Sequence, residues 1–184
     1  MALSAFALST AVSCAKKEEN KAIADDKKVL VAYYSATGHT RTDAEHVARI
    51  MSADLFEIEP VEPYTEADLD WQNDKSRSSI EMHDPAVRPA IKGLPDNLDS
   101  YDVIFIGFPN WWDQPPRVIN TFIEQANLNG KTVVPFMTSG SSSIDNSEAL
   151  LHAAYPNINW LKGMRTTDAS EKQYSEWARG QIYK

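Results

Sequence analysis

The chain has 184 residues, 42% of them hydrophobic, with 26 acidic against 18 basic side chains and a formal net charge of −8. That length and apolar content suit one domain with a full core and exclude a disordered chain. The negative balance argues against a nucleic-acid or anionic-membrane partner, and no apolar run past residue 28 could span a bilayer.

Residues 1–13 are uncharged and apolar or small throughout, like the h-region of a secretion signal. They end at Cys14, the sole cysteine, preceded by Ala11, Val12 and Ser13. This arrangement resembles the lipobox of bacterial lipoproteins, in which the cysteine is lipidated and becomes the mature N-terminus. The resemblance implies an extracytoplasmic protein held by lipid at a bacterial membrane, with no other membrane contact. A basic n-region is missing, and Ala11 stands where leucine is usual. An uncleaved tail on a cytoplasmic protein is therefore the alternative. Residues 1–27 read as a signal-like segment and tether, and residues 28–184 as the domain. With Cys14 used in this way, no thiol remains for a disulfide or for thiol catalysis.

Val29 to Tyr34 form an apolar run with the length and β-branched or aromatic content of a strand buried on both faces. It breaks into Ser35, Ala36, Thr37, Gly38, His39 and Thr40. A helical pattern follows, with Ala44, Val47, Ala48 and Met51 on one side. Strand, small polar loop and helix N-terminus bring free backbone N–H groups and the positive end of the helix dipole to one point. The loop has no lysine and does not fit a Walker A pattern, so its expected guest is a phosphate monoester held by neutral donors. An ordinary polar turn is the bland alternative. His39 reads as a neutral loop residue near that phosphate.

Asp54 to Glu59 alternate apolar and acidic residues, as a sheet-edge strand does, until Pro60 and Pro63. Residues 64–83 read as a polar, solvated helix carrying Tyr64, Leu69, Trp71, Ile80 and Met82, with no chemistry assigned. Pro85, Pro89 and Pro95 mark an irregular return. Tyr101 to Phe108 form a second buried strand, running into Pro109, Asn110, Trp111 and Trp112 and then a helix from about Arg117 to Gln125. Lys131 to Met137 form a third, running into Thr138, Ser139 and Gly140 and a helix through Ala149, Leu150 and Ala153. A short strand around 159–163 and a helix over about 170–179 complete the chain. Strands alternating with helices mean a parallel sheet covered on both faces.

The loop pattern Ser35-x-Thr37-Gly38-x-Thr40 directly after the first strand resembles that of the flavodoxin family. Pro109-x-Trp111-Trp112 after the third strand and Thr138-Ser139-Gly140 after the fourth add to the resemblance, which covers roughly residues 28–182. It implies a flavodoxin-like α/β three-layer sandwich, with a five-stranded parallel sheet of order 2-1-3-4-5 and FMN at the switch point between strands 1 and 3; flavodoxin is itself the standard illustration of that rule. In this reading the first loop cradles the FMN phosphate. The two indoles offer stacking faces, and Gly140 lets backbone amides approach a flat ring. The alternative for the tryptophans is that one caps the core and the other meets a partner.

The implied function is electron transfer with redox proteins or small acceptors such as quinones. The alternatives are an FMN-dependent NAD(P)H:quinone-type reductase and a non-enzymatic envelope protein that has lost the flavin. No residue stands out as catalytic. His39, His46, His83 and His152 lie on separate elements without metal-ligand spacing. The serines after Gly140 do not form a nucleophile elbow.

The lipobox reading has a direct outcome. Expressed with a complete signal, the protein enters the membrane fraction and leaves it with detergent but not with salt, since two acyl chains suffice for stable anchoring. Cys14→Ser abolishes this without altering the domain. Recovery of unmodified residues 1–13 on the protein from its native host would refute the assignment.

Overall fold

The computed structural model describes residues 27–183; the signal-like segment and Cys14 lie outside them. Three long parallel strands form the centre: β1 (Val29–Tyr33), β3 (Val103–Pro109) and β4 (Thr132–Thr138), with β2 (Asp54–Glu57) on the outside of β1. With β5 (Asn159–Trp160) outside β4, the order is β2-β1-β3-β4-β5, the doubly wound arrangement expected of a strand–helix alternation with right-handed crossovers. Because β1 is buried at all five positions, its sequence reads as a continuous apolar run.

Successive strand residues point to opposite faces, and each face has its own core. Leu30, Ala32, Ile104 and Ile106 pack with Val118, Ile119 and Phe122 of α3 (Arg117–Ala126) and Leu151 of α4 (Asp145–Ala154). On the other face Val31, Phe105 and Val134 pack with Ala44 and Val47 of α1 (His39–Met51) and Tyr174 and Ala178 of α5 (Glu171–Ile182). The result is a three-layer α/β sandwich.

Two sequence expectations need correction. The helix expected over 64–83 is confined to α2 (Arg77–His83), and residues 66–75 are turns. The short polar side chains take backbone donors that a helix would need. Asp68 accepts from Thr65 N–H at 2.8 Å, Asp70 from Gln72 N–H at 3.1 Å and Asn73 from Lys75 N–H at 3.0 Å. Ser76 then caps α2 by accepting from Ser79 N–H at 3.3 Å.

The strand expected over 159–163 is split into β5 (Asn159–Trp160) and β6 (Met164–Arg165), both lying beside β4. The cause is Pro135. Val133 and Met137 turn their carbonyls to this side, accepting from Leu161 N–H at 2.8 Å and Thr166 N–H at 2.9 Å. Pro135, between them, has no N–H to give, so the ladder lapses there. Gly163 fits the gap: a Cβ on it would lie 2.6 Å from the Pro135 carbonyl oxygen.

Gly107 in β3 is constrained in the same way. It pairs with Phe136, whose ring covers it so closely that a Cβ would meet the ring at 2.2 Å. Gly107→Ala therefore lowers stability by about 1–3 kcal/mol through overpacking, read as a lower urea midpoint at unchanged m-value.

Candidate functional site

The loops after β1, β3 and β4 leave the same edge of the sheet because those strands are in register. Tyr33 pairs with Gly107, and Pro109 with Thr138. The register carries past the strands: Tyr34 N–H donates to Gly107 O at 2.9 Å and Asn110 N–H to Thr138 O at 2.8 Å. Between the loops lies a crevice of about 760 Å³. A recess of about 510 Å³ adjoins it, with Thr37, Asn110 and Ser139 common to both.

Most of the residues singled out from sequence line this space. Ala36 and Thr37 form the first wall, Pro109 and Asn110 the second with Trp111 and Trp112, and Ser139 and Gly140 the third. His39 and Thr138 line the adjoining recess. Ser35, Gly38 and Thr40 instead shape the loop. Ser35 Oγ accepts from Gly38 N–H at 3.1 Å, and Gly38 adopts the left-handed φ of 92° that the turn into α1 requires. Thr40 is buried, and its hydroxyl bonds that of Thr138 at 2.8 Å, joining the first loop to the third.

The α1 N-terminus has neither a side-chain cap nor an acidic residue in its first turn. Its free N–H groups and dipole thus have no anion in the cap or first turn to answer them, the nearest acid of the helix being Asp43 in the second turn. At the second loop, Asn110 Oδ1 is a buried acceptor with no partner among the described residues. A guest that brings an anion to the helix and a hydrogen-bond donor to Asn110 satisfies both.

The two indoles differ. Trp111 is half-buried, edge-on to Tyr34 at 5.8 Å and to Tyr64 at 5.2 Å, and packs against the core. Trp112 is exposed and left-handed at φ 48°, followed by Asp113 at φ 63°. The reciprocal Trp111–Gln114 backbone bonds, both 3.1 Å, close a two-residue turn of the primed kind. A bulky residue held in that region is strained, which is usual at ligand sites. Asn146 holds the turn from α4 by donating to Asp113 O at 2.8 Å.

Several contributors were not read from the sequence. Arg165 donates to Ser139 O at 3.0 Å and Gly140 O at 3.2 Å, and Thr167 Oγ1 accepts from Ser139 N–H at 2.8 Å. These bonds fix the third loop from β6, an element whose position depends on the split fifth strand. Ser141 and Ser142 extend that wall, and Leu69 and Trp71 close the crevice from the segment expected to be a plain helix. That segment is anchored from below. Glu81 binds Arg77 at 2.7 Å and accepts the Tyr64 hydroxyl, while buried Arg117 donates to Met82 O at 2.9 Å. Burial, then the bond to Glu81, raises the Tyr64 phenol well above its ordinary pKa; burial chiefly does the same to Tyr34. Both phenols are neutral at any physiological pH. Among the described residues, no cluster of His, Cys, Asp or Glu could hold a metal ion.

The flavodoxin family model matches residues 28–181. Among solved structures, a candidate flavoprotein from Bacteroides eggerthii is 52% identical, with a TM-score of 0.82 over 85% of this chain and 98% of its own. Another from Bacteroides uniformis is 51% identical, with a TM-score of 0.79 over 82% of this chain and 97% of its own. A flavoprotein from Lactobacillus acidophilus in complex with FMN is 26% identical, with a TM-score of 0.65 over 80% of this chain and 98% of its own. No curated protein sequence matches the chain.

The Thr40–Thr138 bond gives a double-mutant test. Thr138→Val leaves the buried Thr40 hydroxyl unpaired and lowers stability by about 1–3 kcal/mol, whereas adding Thr40→Val restores most of it. Urea unfolding of the four proteins measures the coupling; additive losses would mean the bond does not join the loops.

Proposed function

The chain belongs to the flavodoxin family, and on that premise we propose that it binds one FMN noncovalently in the crevice and serves in electron transfer. The observation that carries this reading is the meeting of an uncapped, acid-free helix N-terminus with two flat-walled loops in one crevice. A phosphate monoester belongs at the first feature and a planar ring between the others. The FMN complex of the Lactobacillus acidophilus relative supports the choice of guest.

In this reading the backbone of residues 36–40 and the Thr37 hydroxyl would hold the phosphate with neutral donors. Trp111 and Trp112 would flank the ring, with Trp111 braced by Tyr34 and Tyr64 and Trp112 by the His83 ring. Asn110 Oδ1 would accept from the ring's N–H edge, and the amides around Ser139 and Gly140, fixed by Arg165, would approach it closely. When bound, the flavin supplies the redox chemistry, while the protein orients it and sets its electrostatic surroundings. Indole faces and a net charge of −8 both oppose added negative charge, which favours a low-potential carrier. Lipid anchoring through Cys14 belongs to the same proposal and rests on sequence alone.

The test is an absorption spectrum of the purified chain with and without added FMN, followed by Thr37→Asp. Wild type takes up one FMN and quenches its fluorescence. The variant places a carboxylate where the phosphate would sit and removes a hydroxyl donor to a charged group, a loss of about 1.5–3 kcal/mol before any repulsion. FMN binding is weakened at least about tenfold, with an unchanged far-ultraviolet circular dichroism spectrum. Undiminished affinity in that variant refutes the phosphate assignment.

A further inference from the structure

Trp71 is 68% exposed, the most exposed of the large apolar side chains of the described residues. The backbone that carries it is nevertheless held in bonded turns. Asp70 accepts from Gln72 N–H at 3.1 Å across it, Thr65 and Asp68 close the turn before it, and Asn73 closes the one after it. Ser78 N–H donates to Asp68 O at 3.0 Å, tying these turns to α2, which Arg117 fixes to the body of the domain. An unburied indole on an ordered turn forgoes burial energy that a fold ordinarily collects. Together with Leu69 it walls the same crevice as Trp112, itself 37% exposed.

The charge pattern narrows what those side chains receive. Every residue lining the main crevice is uncharged, although the chain carries 44 charged side chains, 26 acidic and 18 basic. In the segment that carries Leu69 and Trp71, acid predominates. Residues 60–76 hold Glu62, Glu66, Asp68, Asp70 and Asp74 against Lys75 alone, and exposed Asp113 follows Trp112. An anionic ring meets repulsion at this rim and no cation inside; a nicotinamide dinucleotide, with its pyrophosphate, is poorly suited.

We propose that Leu69 and Trp71 form a second planar-ring subsite at the mouth of the crevice, selective for an uncharged over an anionic aromatic molecule of quinone size. This rests on the FMN reading, which assigns the inner crevice and its tryptophan loop to the flavin. The subsite seats the outer ring by stacking and apolar contact. The carboxylate rim sets its charge preference.

The full chain, loaded with FMN, is titrated with naphthoquinone and with its sulfonate, a ring of the same size carrying one negative charge. Equilibrium dialysis and indole fluorescence quenching report binding. The neutral ring binds more tightly at low salt, and the gap narrows as salt screens the rim. Trp71→Ala weakens the neutral ring by up to about tenfold, the scale of one aromatic contact, and by more than it weakens FMN; Trp71→Phe recovers most of the loss. Equal affinity for the two rings overturns the proposal, as does a Trp71→Ala variant that binds both as wild type does. A loss of FMN affinity in Trp71→Ala as large as that of the neutral ring also overturns it, by placing that indole in the flavin site. Failure of wild type to take up FMN fails the flavin reading instead. The same titration of the FMN-free chain then decides the Trp71 subsite on its own.

Discussion

The crevice depends on one constraint, the shared register of β1, β3 and β4. Parallel strands bonded in register end at one level, so the loops that follow them begin side by side. Tyr33, Gly107 and Phe136 lie in one row across the sheet, and the Phe136 ring covers the glycine between its neighbours. That row sits one or two residues below the three loops. A shift of a single residue in any strand would reverse which core each side chain enters and separate the walls.

The loops are then locked to one another by polar bonds. Thr40 to Thr138 joins the first to the third, Asn110 to Thr138 the second to the third, and Asn146 to Asp113 the second to α4. Arg165 holds two carbonyls of the third loop from an element on its far side. Each bond is worth about 0.5–1.5 kcal/mol net, somewhat more where a charge takes part. Their joint effect is positional: groups that meet a ligand are held before it arrives, so less ordering entropy is lost on binding.

Electrostatics divides the molecule into three regions. The crevice lining is uncharged, its rim is acidic, and the α1 N-terminus contributes positive potential without a cation. The helix end is the one feature of this space that attracts an anion, although Asp43 and Asp168 line the adjoining recess. A flavin mononucleotide, with phosphate at one end and a neutral ring at the other, has that polarity.

The sequence by itself determined the sandwich, the strand order through family resemblance, and three loops that meet as expected. These were legible because each signal is local: an apolar run fully buried on both faces, a glycine turn before a helix, paired tryptophans bounded by prolines. It left illegible what depends on partners far along the chain. The 64–83 stretch has helical composition, yet its Asp, Asn and Ser side chains capture backbone donors, and its turns acquire meaning only once Arg117 and Glu81 dock them beside the crevice. Pro135 splits the fifth strand because its missing N–H faces that way, a direction set by sheet register alone. That split puts Arg165 where it can hold Ser139 and Gly140. Trp111 and Trp112 are adjacent in sequence, but a left-handed turn packs one against Tyr34 and Tyr64 and leaves the other partly exposed beside His83. Local chemistry specifies which elements form; the direction each unpaired group faces is fixed only when the elements pack.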